Sequence, residues 1–293
     1  MKLLFDIGGT KLRYGLYEAN AFVQHETRAS GGADLRSELE IVIAQAQQNH
    51  RIDAVGISFA GQVHSGVITS APNVALGTLR NLDIPAWIAD RFGLKAAIDN
   101  DLKCAALAES ARRPHAAALA VIYAGTGLGG ALVEKGRLIQ GCGNLAGEIG
   151  HIPFEPAPFA CGCGGSDCLE LSASGSGVAR WCVHLGIDAK TLTDVLRLSA
   201  SNPKAAEIAQ RFERGIAHAV RTVAALFNPD TIILGGGVTA GNPEVIEMAK
   251  KGLGCAFAPS RNIAIEASNL GDEANLIGAA ILLDRRAAHP LNG

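Results

Sequence analysis

The sequence lacks the features that mark membrane, secreted and nucleic-acid-binding proteins. Alanine-rich tracts such as residues 116–124 fall well short of the roughly 20 apolar residues that a membrane-spanning helix needs. Asp6 interrupts the first apolar run too early for a secretory signal. The net charge is −2 and no run of lysines and arginines occurs, so the basic surface of a nucleic-acid-binding protein is missing. We expect a cytoplasmic protein whose partners include neither membrane nor nucleic acid.

The cysteines do not indicate a disulfide framework. Their number, seven, is odd, and they are either clustered like metal ligands or scattered. With 48% hydrophobic and 18% charged residues, the composition is that of a well-buried globular protein. At 293 residues, one core usually divides into two lobes. We expect an N-terminal lobe over residues 1–115, with a helix at about 272–293 packing back on it, and a C-terminal lobe over 116–271.

Strands and helices alternate along the chain, which indicates an α/β protein. Predicted strands cover residues 2–6, 12–18, 21–27, 54–59, 95–98, 117–123, 131–134, 231–234 and 262–267. Predicted helices cover residues 34–49, 84–92, 101–112, 174–185, 192–199, 203–227, a segment from about 243, and 272–286.

The two halves resemble each other, because each opens with a strand, a glycine turn containing threonine, and a second strand. These turns lie at residues 6–11 and 124–130. Such duplication suggests two related lobes with a ligand cleft between them. Opposed glycine turns can direct backbone N–H groups at phosphate oxygens, although either turn alone also suits a tight hairpin. Three glycines follow the strand at 231–234, and they are a candidate binding site for the adenosine of a nucleotide.

Two better-known phosphate-binding patterns do not explain these glycines. The P-loop pattern Gly-x-x-x-x-Gly-Lys-Ser/Thr does not occur. The spacing Gly125-x-Gly127-x-x-Gly130 matches a dinucleotide-binding pattern formally, but that pattern requires a helix directly after the glycines. Residues 132–136 indicate a strand and a hairpin turn instead.

The segment from residue 148 to 170 combines the ligands of a metal site with two carboxylates. One imidazole and three thiols lie within eighteen residues, at His151, Cys161, Cys163 and Cys168. Zinc takes four nitrogen or sulfur ligands, so this set predicts a closed tetrahedral site that fixes Glu148 and Glu170 toward a ligand. The alternative is a set of unrelated thiols beside a core histidine. A zinc hydrolase is disfavoured, because a closed shell leaves no position for water.

Five segments together resemble the ROK family of sugar kinases and sugar-responsive repressors. They are Asp6-Ile7-Gly8-Gly9-Thr10-Lys11, Asn100-Asp101, Gly125-Thr126-Gly127-Leu128-Gly129-Gly130, Ala146-Gly147-Glu148-Ile149-Gly150-His151, and Cys161-Gly162-Cys163-Gly164 with Cys168-Leu169-Glu170. The resemblance covers essentially the whole chain in the family's order. It implies a two-lobed actin-like ATPase fold with a ribonuclease-H-like core in each lobe. It also implies phosphoryl transfer from ATP·Mg²⁺ to a hexose hydroxyl, a structural Zn²⁺ and a homodimer.

The resemblance assigns roles residue by residue. Asp101 matches the general base, although Asn100 and Asp101 taken alone suit a helix N-cap. The residues that match sugar ligands are Asn73, Asn100, Asp101, Glu148, His151 and Glu170. The predicted nucleotide contacts are Asp6, Gly8, Gly9, Thr10, Lys11, Gly125, Thr126, Gly127, Gly129, Gly130, Gly235, Gly236 and Gly237.

The chain departs from the family pattern beside several of these positions. Leu102 and Lys103 replace the small or polar pair that often follows the base, and Asp167 replaces a glycine before the last zinc cysteine. Such changes affect the assignment of the sugar substrate more than the assignment of the reaction type. We expect a kinase that phosphorylates glucose on its 6-hydroxyl, with N-acetylmannosamine or N-acetylglucosamine as the alternative. A repressor is disfavoured, because the first strand begins at residue 2 and leaves no room for a helix-turn-helix.

Overall fold

The computed structural model describes residues 1–9, 11–29, 34–71, 74, 76–254 and 262–288. The strands are β1 (Lys2–Ile7), β2 (Lys11–Glu18), β3 (Ala21–Ala29), β4 (Ala54–Phe59), β5 (Gln62–His64), β6 (Val67–Ser70), β7 (Lys95–Asn100), β8 (Ala118–Ala124), β9 (Leu128–Glu134), β10 (Arg137–Leu138), β11 (Thr231–Gly235) and β12 (Ala264–Ala267). The α-helices are α1 (Leu35–Asn49), α2 (Ile84–Phe92), α3 (Asp101–Ala111), α4 (Glu170–Ala173), α5 (Gly175–Leu185), α6 (Leu192–Leu198), α7 (Pro203–Phe227), α8 (Gly237–Gly241), α9 (Glu244–Gly254) and α10 (Ala274–Ala288). The prediction of an α/β protein is therefore confirmed.

The chain forms two compact units, each assembled from separate segments. The first unit contains Met1–Ala108, Gln140–Leu145 and Leu270–Gly293, and the second contains Glu109–Ile139 and Ala146–Asn269. In the part of the chain that the structure describes, no helix is both long and apolar enough to cross a lipid bilayer.

The first unit is built on a sheet in the order β3-β2-β1-β4-β7. Strand β1 is antiparallel to β2 and parallel to β4, which is in turn parallel to β7. Apolar side chains of these strands form a core with α1 and α2. On the other face α10 approaches β4 so closely that a Cβ on Gly56 would lie 2.7 Å from the carbonyl oxygen of Ala279. Helix α10 thus covers one face of the first sheet.

The register of this sheet places three polar residues side by side. Asp6 of β1 pairs with Ser58 of β4, and Ser58 pairs with Asp99 of β7. All three side chains are buried, and they lie near the carboxyl ends of three parallel strands. Ligands of open α/β sheets bind at this end of the strands, so these three residues indicate the position of a binding site in the first unit.

The second unit repeats the strand arrangement of the first. Its sheet has the order β10-β9-β8-β11-β12, with β8 antiparallel to β9 and parallel to β11. When the strands of each five-stranded sheet are numbered in chain order, both orders read 3-2-1-4-5. The internal duplication predicted from the glycine turns is confirmed. The core of this unit is formed around α7, whose Phe212, Ile216 and Val220 are fully buried.

Local signals explain where most of these elements begin and end. Asp83 caps α2 by accepting the N–H of Ala86 at 3.0 Å, and Gly93 ends the helix at φ +67°. The hairpin of β5 and β6 goes beyond the predicted elements, since strands of three and four residues are too short to show an alternation. The strand predicted for residues 262–267 is shorter, because β12 begins only at Ala264.

Candidate functional site

Asp6 is the buried acidic residue at the end of β1. Its Oδ1 accepts hydrogen bonds from Ser58 Oγ and from Asn275 Nδ2, both at 3.0 Å, and its Oδ2 accepts one from Arg13 Nη1 at 3.1 Å. Burial raises the pKa of Asp6, while the hydrogen bonds from Asn275, Ser58 and Arg13 oppose that rise. The side chain is therefore held in one orientation from three elements.

The glycine turn after Asp6 is closed by a hydrogen bond from the N–H of Gly8 to the carbonyl of Lys11 at 2.9 Å. Gly9 and Lys11 are exposed, and Lys11 begins β2. Two predicted site residues, Thr10 and Asn73, lie outside the described residues.

Asn100 and Asp101 lie where β7 passes directly into α3. Asn100 Oδ1 accepts the N–H of Leu102 at 3.0 Å, and Asn100 Nδ2 donates to the carbonyl of Gly61 at 3.1 Å. Asn100 therefore caps the helix. Asp101, the first helical residue, is half-buried, and its Oδ1 also accepts the N–H of Leu102, at 2.9 Å.

The environment of Asp101 suits a proton acceptor. Burial, and secondarily the carboxylate of Asp6, raise the pKa of Asp101 to about 6. A carboxylate whose pKa lies near neutral pH is still ionised there, yet holds a proton more readily than an ordinary aspartate. The chemistry of Asp101 is therefore compatible with the base role predicted from the sequence.

The glycine turn of the second unit joins β8 to β9 and contacts the start of α5. The N–H of Gly125 donates to the carbonyl of Gly127 at 2.9 Å. The carbonyls of Gly125 and Thr126 accept the N–H groups of Gly175 at 2.8 Å and Ser176 at 3.1 Å. These contacts orient the turn. Gly129 and Gly130 lie within β9, where a Cβ on Gly130 would be 3.1 Å from the carbonyl oxygen of Val121.

Residues 235–237 lie beside this turn. Gly235 ends β11 and pairs with Tyr123 of β8. Gly236 has φ +86°, and a Cβ there would lie 2.4 Å from the carbonyl oxygen of Ala124. Gly237 begins α8, and a Cβ there would meet nothing within 4 Å. The structure thus brings both predicted glycine segments of the second unit to the carboxyl ends of neighbouring parallel strands.

Glu170 connects the glycine turn with the metal-binding segment. Its Oε2 accepts the N–H of Leu128 at 2.9 Å, and a Cβ on Gly127 would lie 2.5 Å from the same oxygen. Its Oε1 lies 3.7 Å from Cys161 Sγ. Glu170 begins α4 and is half-buried, so its carboxylate is fixed by neighbours on both sides.

The four predicted metal ligands converge. The ligand atoms of His151, Cys161, Cys163 and Cys168 all lie within 4.8 Å of one another. His151 Nδ1 is 3.6 Å from Cys161 Sγ, and Cys163 Sγ is 3.3 Å from Cys168 Sγ. Bond lengths of a tetrahedral zinc site require about 3.6 Å between nitrogen and sulfur ligands and about 3.8 Å between sulfur ligands. The residues present fit a zinc ion with small adjustments.

Backbone turns explain how three cysteines reach one point. The carbonyl of Cys161 accepts the N–H of Gly164, which has φ +96°, at 2.9 Å. A Cβ on Gly165 would lie 3.1 Å from Cys168 Sγ. The carbonyl of Asp167 accepts the N–H of Phe154 at 2.7 Å, so this departure from the family pattern is accommodated in the loop. A hydrogen bond from the Gly165 backbone is the main cause that lowers the pKa of Cys163 to about 7.

The two ring nitrogens of His151 face different groups. Nδ1 faces the thiols, and Nε2 lies 3.9 Å from Glu148 Oε2. A histidine that binds a metal through one nitrogen commonly directs the other at a carboxylate. Both side chains are exposed, so Glu148 and His151 present polar atoms to solvent beside the thiol cluster.

Several residues that support these groups were not predicted from the sequence. Asn275 and Ser58 bind Asp6 from distant parts of the chain, and no local pattern reports such contacts. Ser176 at the start of α5 lies against the glycine turn. The glycine and serine content of residues 174–177 is the one signal that could have indicated it.

Comparison with known proteins agrees with these observations. The model of the ROK family matches residues 3–286. The N-acetylmannosamine kinase of Salmonella newport is 31% identical in sequence, over 96% of this chain and 97% of that protein.

Among solved structures, the ROK hexokinase from Thermus thermophilus superimposes with a TM-score of 0.83 at 26% identity, covering 98% of both chains. The ROK family glucokinase from Streptomyces griseus, in complex with glucose and AMPPNP, gives a TM-score of 0.77 at 26% identity. That match covers 97% of this chain and 99% of that one. The α/β fold is therefore that of ROK sugar kinases.

Proposed function

The chain belongs to the ROK family, and we propose that it is an ATP-dependent sugar kinase that transfers the γ-phosphoryl group of ATP to a sugar hydroxyl. The observation that carries the proposal is Asp101, a half-buried carboxylate at the first turn of α3 with a pKa of about 6. A sugar hydroxyl is a weak nucleophile, and a carboxylate within hydrogen-bond reach orients it and takes its proton.

We infer that the sugar is N-acetylmannosamine. The similarity to the N-acetylmannosamine kinase of Salmonella newport over nearly the full length of both chains supports this choice. Glucose, the substrate expected from the sequence, is the second candidate, and the similarity to the glucokinase from Streptomyces griseus supports it. The two sugars differ at the 2-position, in the substituent and in its orientation, so the pocket around that position distinguishes them.

The proposal assigns sugar binding in the second unit to Glu148, His151 and Glu170. Carboxylates accept hydrogen bonds from paired hydroxyls, and an imidazole nitrogen either donates or accepts. The exposed positions of Glu148 and His151 leave these atoms accessible to a ligand. The proposal also assigns Asn100 of the first unit to the sugar. Its side chain donates to Gly61 and caps α3, so Asn100 supports the turn that carries Asp101 as well.

ATP binding is assigned to the glycine segments of both units, at residues 8–11, 125–130 and 235–237. Mg²⁺ bound with ATP would neutralise charge on its phosphates. A Cβ at Gly125 or Gly237 would meet nothing within 4 Å, and this open space supports close approach of a phosphate or ribose.

The proposal includes a structural zinc ion held by His151, Cys161, Cys163 and Cys168. Three thiolates and one imidazole complete a tetrahedral shell, so the ion would organise the loop and leave the reaction to the protein's own groups. Glu170 lies two residues after Cys168 and contacts Cys161. A metal ion that fixes the conformation of this loop would therefore also fix the position of the Glu170 carboxylate.

The test is a measurement of ADP release from ATP·Mg²⁺ with N-acetylmannosamine, N-acetylglucosamine and glucose, reported as kcat/KM. The position of the phosphate on the product is read by NMR. We expect the highest kcat/KM with N-acetylmannosamine and phosphate on its 6-hydroxyl. A higher value with glucose would replace the substrate by the second candidate. Absence of phosphoryl transfer to all three sugars, from zinc-loaded protein, would reject the kinase proposal.

A further inference from the structure

Asn144 lies in the short segment Gln140–Leu145, which belongs to the first unit although the segments on either side of it belong to the second. Its backbone has φ +59°, a left-handed conformation that asparagine adopts more readily than most residues. The side chain is half-buried. No motif in the sequence marks this residue.

Asn144 contacts the chain on both sides of Asp101. Its Nδ2 donates to Asp99 Oδ1 at 2.8 Å and to the carbonyl of Val63 at 2.6 Å. Its backbone carbonyl accepts a hydrogen bond from Lys103 Nζ. Asp99 and Lys103 lie two residues before and two residues after Asp101, so one residue holds both flanks of the turn that carries the carboxylate.

The connection continues into the helix cap. Asp99 Oδ1, which accepts from Asn144, also accepts the N–H of Asn100 at 2.8 Å. Asn100 in turn caps α3 through the N–H of Leu102. A displacement at Asn144 is therefore passed through Asp99 and Asn100 to the first turn of α3.

Burial makes these contacts costly to lose. Asp99 is 1% exposed and Lys103 is 4% exposed. A buried charged group depends on hydrogen-bond partners, and removal of a partner costs far more than the same change at the surface. The bonds to Asn144 are thus expected to persist in the folded protein rather than to exchange with water.

We propose that Asn144 and Lys103 are positioning residues for the reaction, a clamp that holds the first turn of α3 so that Asp101 points at the sugar hydroxyl. The inference rests on the proposed function, in which Asp101 is the base. It adds two residues that do not touch the sugar. Lys103, which departs from the family pattern, then has a role in this chain, since its ammonium group binds the backbone carbonyl of Asn144.

The test compares Asn144→Gly and Lys103→Met with the parent. Glycine keeps the left-handed backbone and loses the side-chain bonds, whereas methionine keeps the apolar stem and loses the ammonium group. Asn81→Gly is the matched control, because Asn81 also lies in the first unit with φ +59° but is placed in an exposed turn. Kinetic constants and amide hydrogen exchange over residues 99–105 are measured for each protein.

We expect kcat to fall about 10- to 100-fold in both variants while the KM for ATP stays within about twofold, since misplacement of a reacting group by about 1 Å has an effect of this size. Exchange over residues 99–105 is faster in both and unchanged in Asn81→Gly. The fold decrease in kcat of the double variant is smaller than the product of the two single decreases, because both substitutions disrupt the same clamp.

Two results overturn the clamp. One is a kcat close to that of the parent in Asn144→Gly and Lys103→Met, which would make both residues structural only. The other is exchange over residues 99–105 as slow as in the parent. If the parent transfers phosphate to no sugar, the proposed function fails instead, and the exchange comparison still decides whether Asn144 and Lys103 hold the turn. If Asn144→Gly does not fold, Lys103→Met provides the same comparison.

Discussion

The carboxylate of Glu170 accepts the N–H of Leu128 at 2.9 Å, and this contact joins a predicted sugar ligand to the strand that follows the glycine turn. It also explains why residue 127 is glycine. A Cβ there would lie 2.5 Å from Glu170 Oε2, closer than real Cβ contacts. Gly127 thus makes room for a side chain of the protein itself, a role different from that of a glycine which makes room for phosphate.

We therefore predict that Gly127→Ala raises the KM for the sugar about tenfold, because the methyl group displaces the carboxylate of Glu170 and one misplaced hydrogen bond to a charged group is worth about 1.5 kcal/mol or more. The KM for ATP should change less. Steady-state kinetics with each substrate varied in turn measure the two constants. Gly125→Ala is the control for the sugar, since a Cβ at Gly125 meets nothing within 4 Å and does not displace Glu170. As a predicted nucleotide contact, Gly125 should affect the KM for ATP and leave the KM for the sugar unchanged. A change confined to the KM for ATP in Gly127→Ala would contradict this role of Glu170.

For the nucleotide, we predict that Gly237→Ala and Thr126→Val each raise the KM for ATP with little effect on sugar binding. The first adds a methyl group in open space beside the predicted phosphate turn, and the second removes a hydroxyl donor. Isothermal titration with a non-hydrolysable ATP analogue and with sugar separates the two effects. Gly236→Val is a poorer probe, since its Cβ would lie 2.4 Å from a backbone oxygen and disturb the fold itself. Weakened sugar binding alone in both variants would reject this placement of ATP.

For the base, we predict that Asp101→Asn lowers kcat by several hundredfold while sugar binding survives. The amide keeps the shape of the side chain but accepts no proton, and general-base catalysis contributes about 10²–10⁴-fold. In the parent, kcat should fall as the pH drops through about 6, the pKa to which Asp101 is raised, because protonation removes the base. A profile of kcat against pH measures this decrease. Turnover near that of the parent in the variant would remove Asp101 from the base role.

The same substitution should stabilise the protein at neutral pH. The pKa of Asp101 is raised from 3.8 to about 6, so the folded state binds the proton more tightly than the unfolded state. The stability of the parent therefore decreases as the pH rises between about 4 and 6, by up to about 3 kcal/mol. Asp101→Asn should have a Tm several degrees higher than the parent at pH 8 and an equal Tm below pH 4, by calorimetry. An equal Tm at pH 8 would contradict the raised pKa.

For the metal, we predict about one zinc ion per chain and a loss of zinc and of sugar affinity together in Cys163→Ser. A structural zinc ion contributes folding free energy directly, and Glu170 depends on the same loop. Elemental analysis and sugar titration measure both quantities. Cys182→Ser is the matched control, because Cys182 is a buried thiol of α5 outside the cluster. Full sugar affinity in a zinc-free Cys163→Ser protein would reject the structural role.

Features that depend on neighbouring residues could be predicted from the sequence, whereas contacts between residues far apart in the sequence could not. Strands, glycine turns and caps depend on residues within a few positions, so the start of α3 after β7 is confirmed. The strand predicted at residues 131–134 is also found, although β9 begins three residues earlier, at Leu128, and includes two glycines that were predicted for the turn. The support of Asp6 by Asn275 spans 269 positions, and the bond from Asn144 to Asp99 spans 45. Such contacts depend on how the elements pack, and no spacing along the chain encodes them.

Helix α10 covers a face of the first sheet, and this has a consequence for how the protein is made. Synthesis proceeds from the N-terminus, and the sheet strands β1, β4 and β7 leave the ribosome long before residues 274–288. Until α10 arrives, the face around Gly56 is bare and Asp6 lacks its bond from Asn275. A nascent chain that has reached residue 269 holds every segment of the second unit but an unfinished first one. The part of the protein translated first is thus the part completed last.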